Sequence, residues 1–171
     1  MNGFPVSLKG FSLYMNALQE IGTVDIELPN IQFMTDTITG SGIGGELEVP
    51  IAGLTKSMTM KIKKRAVNKQ FTTLIAPIIH QLAFRGKIQM ADPGSAIGKV
   101  KERTIRIMAK VMPKSKNLGK AEIAKAMDTE AEFEVISIRI FVDEIENLHV
   151  DKLNNIFAVD GVNYLDEDGF L

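Results

Sequence analysis

Two histidines and no cysteine are the first limit on any chemistry this chain performs. No tight carboxylate cluster lies near either His80 or His149. A histidine-based metal or general-base site therefore has few parts to draw on, and a thiolate site has none. His80 ends an apolar run at helical spacing and reads as a partly buried structural histidine. His149, in Asn147-Leu148-His149-Val150-Asp151, reads as an exposed turn or strand edge. No serine sits in a glycine-flanked elbow that would expose it as a nucleophile.

Gly40-Ser41-Gly42-Ile43-Gly44-Gly45 matches the glycine spacing of a dinucleotide-binding turn. Such a turn needs a helix N-terminus behind it to supply amide donors and a positive dipole. Here Glu46-Leu47-Glu48-Val49-Pro50 follows, a strand pattern whose acids repel phosphate, so a loop between two strands is expected. Asp166-Glu167-Asp168-Gly169 looks like half of a calcium loop, but the alternating ligands and closing Glu are missing, and it reads as a solvated acidic tail. No catalytic residue, cofactor or metal is expected, so what the chain does must come from its shape and surfaces.

The elements that would carry those surfaces are mostly strands. In Ser57-Met58-Thr59-Met60-Lys61-Ile62-Lys63 the even positions are apolar and the odd ones polar, the period of a strand with one buried face. Leu47, Val49 and Ile51 repeat the pattern, as do Leu82, Phe84, Ile88 and Met90, and Ile105, Ile107, Ala109 and Val111. Val24, Ile26 and Leu28 shift register across Pro29 to Ile31 and Phe33, which reads as an edge strand with a bulge. Glu132 to Val142 is apolar on both faces in its second half, as in a central strand covered twice.

One helix is expected through Phe71, Leu74, Ile75, Ile78 and Ile79, capped by Asn68 and ended by Pro77. A weaker helical stretch runs from Ala121 to Met127 after a loop from Pro113 to Gly119. Asp92-Pro93-Gly94-Ser95 and Asp160-Gly161 mark turns. A chain of 171 residues removes roughly 70% of its extended surface from water on folding. The reading is one mainly-β domain over residues 1–171 with one short helix, a β-barrel or β-sandwich.

Charge is segregated along the chain although the net is only -1. Residues 1–53 carry -5, residues 54–126 carry +14 and residues 127–171 carry -10. Such blocks form opposed surfaces that guide head-to-tail self-association, or the fold interleaves and cancels them. On charge alone the basic middle, with Lys61-Ile62-Lys63-Lys64-Arg65 and Lys99 to Arg106, is a nucleic-acid candidate, but no stacking aromatics are interleaved with it. No apolar run is long enough to cross a bilayer, and Met1-Asn2-Gly3-Phe4-Pro5 does not open like an export signal, so no stable membrane insertion is expected.

Several segments, taken in order, resemble the major tail tube proteins of contractile-tailed bacteriophages. They are Phe11-Ser12-Leu13-Tyr14-Met15-Asn16, Asp25-Ile26-Glu27-Leu28-Pro29-Asn30-Ile31, and the Gly40 to Gly45 loop leading into Glu46, Val49 and Pro50. The series closes with Ile138 to Ile145, Val150-Asp151-Lys152-Leu153-Asn154-Asn155-Ile156-Phe157 and Asp160-Gly161-Val162. The resemblance spans Phe11 to Val162 and departs around Lys114 to Asp128.

It implies a β-barrel or sandwich of the tail tube type, shared with type VI secretion tubes, whose sheets join between subunits. Six-membered rings would stack head to tail inside a contractile sheath, with sheath, baseplate and tail terminator proteins as partners. The lumen would be acidic or neutral, so that DNA passes without specific binding, and the basic residues would lie at contacts. The particle would be a virion tail assembled in the bacterial host cytoplasm. An arm over residues 36–50 and a loop over 113–128 would reach between subunits, through Gly40, Ser41, Gly42, Ile43, Gly44, Gly45, Glu46, Lys61, Lys63, Arg65, Lys114, Lys116, Asp151 and Asp160. The rival readings are a type VI secretion or bacteriocin tube, a nucleic-acid-binding β-barrel, and a small β-rich enzyme.

Overall fold

The computed structural model describes residues 4–16, 19–22, 24–91 and 101–165. The turn expected at Asp92 to Ser95 and the acidic tail at Asp166 to Gly169 lie outside the described residues. The elements run β1 (Phe4–Met15), β2 (Gln19–Glu20), β3 (Asp25–Glu27), β4 (Phe33–Ile38), β5 (Leu47–Thr55), β6 (Thr59–Lys64), α1 (Lys69–Thr73), β7 (His80–Ala91), β8 (Lys101–Asn117), β9 (Thr129–Val142), β10 (Ile145–Asp151), β11 (Ile156–Val159) and β12 (Val162–Asn163). The mainly-β fold with one short helix is as the alternation predicts. None of the described helices is long and apolar enough to cross a membrane.

Ten strands form one sheet in the order β12-β11-β10-β9-β8-β7-β1-β2, with β6 and β3 branching from β9. The path has two ends, so the described residues of one chain close no barrel. β4 and β5 pair only with each other. One apolar row, Met15, Leu82, Ala109, Ile138, Val150 and Phe157, crosses β1, β7, β8, β9, β10 and β11 in register. All six side chains are buried. Met58, Met60 and Ile62 around β6, Val24, Phe71 and Leu74 join the same core cluster and cover that face.

β9 is the hinge of the sheet. On one edge it pairs with β6 over Thr129 to Glu134, then with β10 over Ser137 to Val142. A register shift against β8, where Lys110 faces Ser137 but Val111 faces Val135, leaves Ile136 as the extra residue. The buried set accordingly changes from Ala131, Phe133 and Val135 to Ile138. The two-faced apolar pattern thus records, within the subunit, a bulge that switches the buried phase.

Other expectations are corrected. Asn68 does cap α1, its Oδ1 accepting from Phe71 N at 2.8 Å, but the helix stops at Thr73. Ile75, Ile78 and Ile79 are exposed rather than on a buried helical face. Pro77 disfavours helical backbone at Ala76, which helps to end the helix this early. The Val24 to Phe33 segment is not one bulged strand: β3 joins the main sheet, and β4 starts in the separate hairpin. Ala121 to Met127 is irregular, with Ala124 (φ 64°) and Asp128 (φ 50°) in left-handed backbone that no helix accommodates. Pro113 to Asn117 continues β8, so the loop is confined to 118–128.

Candidate assembly interface

The β4–β5 hairpin is an arm with one bare apolar face. Ile38 faces Leu47 and Asp36 faces Val49, Met34 lies on the same side by alternation with Asp36 as the acid within that row, and Ile51 follows where the bulge begins. Met34, Ile38, Leu47 and Ile51 are between 41% and 53% exposed, so this face meets solvent in the single chain. The opposite face is polar, with Thr35 Oγ1 donating to Glu48 Oε1 at 2.6 Å. A two-stranded hairpin is marginal alone, and a contiguous exposed apolar face marks a surface that something covers.

The arm is anchored at its root and open at its tip. At the root, Phe33 packs its ring 5.2 Å from that of Phe157. A register shift opposite Met34 bulges out Ile51 to Leu54. Gly53 in this bulge has φ +76° and is buried, and a Cβ there would come 2.6 Å from Leu165 Cγ, so only glycine fits. At the tip, Gly40 to Glu46 are all exposed and make a strand-to-strand turn, with Gly45 N donating to Ile43 O at 2.9 Å. β5 rather than a helix follows this turn, so the glycines lack the geometry for cradling phosphate.

The charged candidates behave differently. Antiparallel pairing sets Lys61 opposite Glu132 and Lys63 opposite Glu130, and the pairs meet at 3.0 and 3.5 Å. The hydrogen bond and charge of Lys61 hold the Glu132 carboxyl below its ordinary pKa, and Glu132 in turn raises that of Lys61. Lys114 lies 3.7 Å from Glu134. Lys116 sits with its Nζ 4.5 Å from the centre of the Phe71 ring, and burial lowers its pKa. Arg103 pairs with Asp143 at 3.0 Å and Arg106 with Glu144 at 3.2 Å.

The basic strands β6 and β8 flank the acidic strand β9, so these blocks interleave within the subunit instead of forming opposed patches. Water screens such exposed pairs, so they add little stability and act mainly on register. Asp151 is also internal: it is buried and accepts from Leu153 N, Asn154 N and Asn154 Nδ2. Lys61, Lys63 and Lys114 thus each meet a carboxylate of their own chain, Lys116 meets the Phe71 ring, and Asp151 is held in its own turn. Asp160 accepts from Asn147 Nδ2 at 3.1 Å in the exposed β11–β12 turn. Arg65 is exposed, and its carbonyl accepts from Met127 N at 3.1 Å, pinning the return of the 118–128 loop.

That loop exposes apolar side chains. Ile123 is 99% exposed and Leu118 60% exposed. Gly119 (φ +80°) lies so close to the Met127 carbonyl that any Cβ would collide with it. At the other end of the sheet, β1 pairs with β7 on one edge, while from Phe4 to Ser12 its second edge has no strand partner among the described residues. Neither feature is legible from alternation, which shows that a face is apolar but not whether an edge is paired.

The histidines are structural in their surroundings. His80 opens β7 rather than ending a helix; it is buried, and its Nε2 donates to Ala76 O at 3.0 Å. His149 is not at an edge: it lies in β10 between Arg139 of β9 and Ala158 of β11, half-buried. Among the described residues no group of three or more His, Asp or Glu side chains is placed to hold a metal.

The described residues thus form an open β-sheet whose β1 edge lacks a strand partner from Phe4 to Ser12, with a hairpin arm that exposes apolar side chains. The family model for "Phage tail tube protein FII" matches residues 5–168, and the chain belongs to this family of structural tail tube subunits. No curated protein matches it in sequence. Among solved structures, the chain is similar to one in the PVC sheath/tube terminator of an extracellular contractile injection system in its extended state. There the TM-score is 0.55 at 13% identity, covering 81% of this chain and 97% of that one. A chain of the PVC sheath-tube complex in the extended state gives 0.54 at 11% identity, over 81% and 92%. One from the anti-feeding prophage baseplate, 6-fold symmetrised, gives 0.51 at 12% identity, over 82% and 97%. These likenesses concern the fold, and they agree with the tail tube architecture.

Proposed function

We propose that copies of this subunit close into six-membered rings that stack head to tail, making the inner conduit of a contractile tail through which a genome or ions cross a bacterial envelope. Its partners are then other copies of itself, the sheath, the baseplate and the tail terminator. DNA slides through the lumen without specific binding, and the subunit assembles in the host cytoplasm and performs no chemistry. The similar folds in a sheath/tube terminator, a sheath-tube complex and a six-fold baseplate support this set of partners.

The observation that carries the reading is the exposed apolar face of the β4–β5 arm, which no element among the described residues covers. Gly40 to Glu46 at its tip are the reach-across residues. The 118–128 loop with Ile123, the neighbouring Lys114, and the Arg65 and Asp160 surfaces supply further contacts. Edge pairing through β1 would continue the sheet from copy to copy, which removes the aggregation hazard of its open edge.

Ile38→Glu and Leu47→Glu test this, since both side chains are exposed and a charge there leaves the core intact. Both variants should keep the wild-type circular dichroism spectrum yet fail to sediment as polymer, as should deletion of Ser41 to Glu46. Polymer of normal yield and shape from these variants would contradict the reading.

A further inference from the structure

We infer that the acidic arm of one copy seats in a cationic, aromatic trough at the β1 end of the adjacent copy. This rests on the polymerising role above and adds to it a receptor for the arm.

The arm is negative with no internal compensation. Asp36, Glu46 and Glu48 are its ionisable side chains, and no Lys or Arg occurs between Lys9 and Lys56. Their polar contacts are with the arm itself: Asp36 Oδ1 accepts from Thr37 N, and Glu48 from Thr35 Oγ1. Arm packed on arm would therefore set like charges against each other, which disfavours that contact. The partner surface should be basic and partly apolar.

One surface of the subunit has that character. A trough of about 660 Å³ lies against β1, β7 and β8, lined by Lys9, Phe11, Tyr14, Arg85, Lys87 and Arg106 among others. Lys9 and Lys87 share the single carboxylate of Glu102, and Arg106 pairs with Glu144. The Arg85 guanidinium lies 5.1 Å from the Tyr14 ring centre and has no carboxylate partner among the described residues. Four cations against two carboxylates leave the trough positive. The Tyr14 ring, on the same face of the sheet as Ser12 and Arg85, offers a flat wall to side chains such as Ile43 and Leu47, while the Phe11 side chain turns to the opposite face beside Phe84.

Topology separates the two surfaces. The arm is rooted on β11 through Phe33 and Phe157, and the trough lies on β1, β7 and β8, towards the opposite end of the strand order. A contact between unlike surfaces at opposite ends of one subunit is heterologous, and it propagates into rings or filaments rather than stopping at a dimer.

The chain has no cysteine, so paired reporters are clean. Ser41→Cys at the arm tip with Ser12→Cys in the trough should give a ladder of covalent oligomers when assembled protein is treated with a short bismaleimide. Ser41→Cys with Thr72→Cys, on the distant helix, should not. Independently, Arg85→Glu should lower the polymer yield about tenfold at unchanged circular dichroism, from a repulsive contact of order 1.4 kcal/mol or more. Polymer that forms from the Ser41/Ser12 variant without a ladder, or an Arg85→Glu protein that assembles like wild type, would overturn the inference while leaving the tube reading intact. Loss of duplex DNA retention in Arg85→Glu with normal assembly would assign the trough to nucleic acid and likewise overturn it. A wild-type protein that never polymerises would remove both.

Discussion

The rings of Phe33 and Phe157 lie 5.2 Å apart with their planes at 57°, joining the root of the β4–β5 arm to β11. Phe157 is buried in the core while Phe33 is 37% exposed, so the pair couples a free-standing hairpin to the body of the subunit. Aromatic pairs of this geometry contribute roughly 0.5–1.5 kcal/mol beyond area burial. Phe33→Ala should therefore cost the isolated subunit about 1–2 kcal/mol. Assembly should suffer far more, because the arm loses its direction. Denaturant melts alongside sedimentation would check this; equal loss in both would show that the arm does not depend on this anchor.

Asp151 gives a pH-dependent prediction. Burial alone would push its carboxyl up, but the bonds from Asn154 and Leu153 outweigh burial and hold the pKa below the ordinary aspartate value. A carboxylate with a lower pKa in the folded state contributes stability above its unfolded value, about 3.9, and loses it as pH falls through the folded one. Asp151→Ala should cost about 2 kcal/mol at neutral pH. The gap between wild type and variant should narrow below about pH 4 in a series of urea melts. A gap unchanged from neutral to acid would show that the carboxylate charge is not what stabilises the β10–β11 turn.

The β9–β10 turn holds a strained pair. Val142 faces Ile145, and between them Asp143 (φ 50°) and Glu144 (φ 66°) both adopt left-handed backbone. That backbone costs a non-glycine residue roughly 1–2 kcal/mol, whereas the exposed Arg106–Glu144 pair returns only about 0–1 kcal/mol. Glu144→Gly should thus stabilise the subunit by about 0.5–1 kcal/mol, read as a higher urea midpoint at unchanged slope. A lower midpoint would mean that the ion pair outweighs the strain.

Gly119 makes the opposite case. Its positive φ and its proximity to the Met127 carbonyl leave no room for a Cβ. Gly119→Ala should force the 118–128 loop open at a cost of about 2 kcal/mol or more. Proteolysis within the loop should then quicken, and a variant as resistant as wild type would contradict the packing described.

Legibility in the sequence followed contrast between faces. Met58, Met60 and Ile62 alternate with Thr59 and Lys61, so β6 was readable down to its buried side. The Asn68 cap and the Asp160-Gly161 turn (φ 48° and 84°) were readable because each needs a particular residue type. Leu47, Val49 and Ile51 announce a strand with an apolar face, but alternation is silent on what covers it, and among the described residues nothing does. The Ile136 bulge was hidden because isoleucine fits either face. Pro113 looked like a loop residue, yet it sits beside a register shift in β8, where a missing N–H is tolerated.

Of the two arrangements the charge blocks allow, strand pairing selects interleaving for β6, β8 and β9, which sequence position alone does not show. Pairing β6 and β8 with β9 places Lys61, Lys63 and Lys114 beside Glu132, Glu130 and Glu134. The arm was the candidate region legible from the sequence; the trough around Arg85 was not, because its residues come from three separated segments.

Electron microscopy of the purified protein in negative stain, at increasing concentration, bears most directly on the claim that this subunit works as a polymer. Six-fold rings and hollow tubes of uniform width are the predicted result, disappearing in Leu47→Glu. A protein that stays monomeric at every concentration, with Leu47→Glu indistinguishable from wild type, would contradict it.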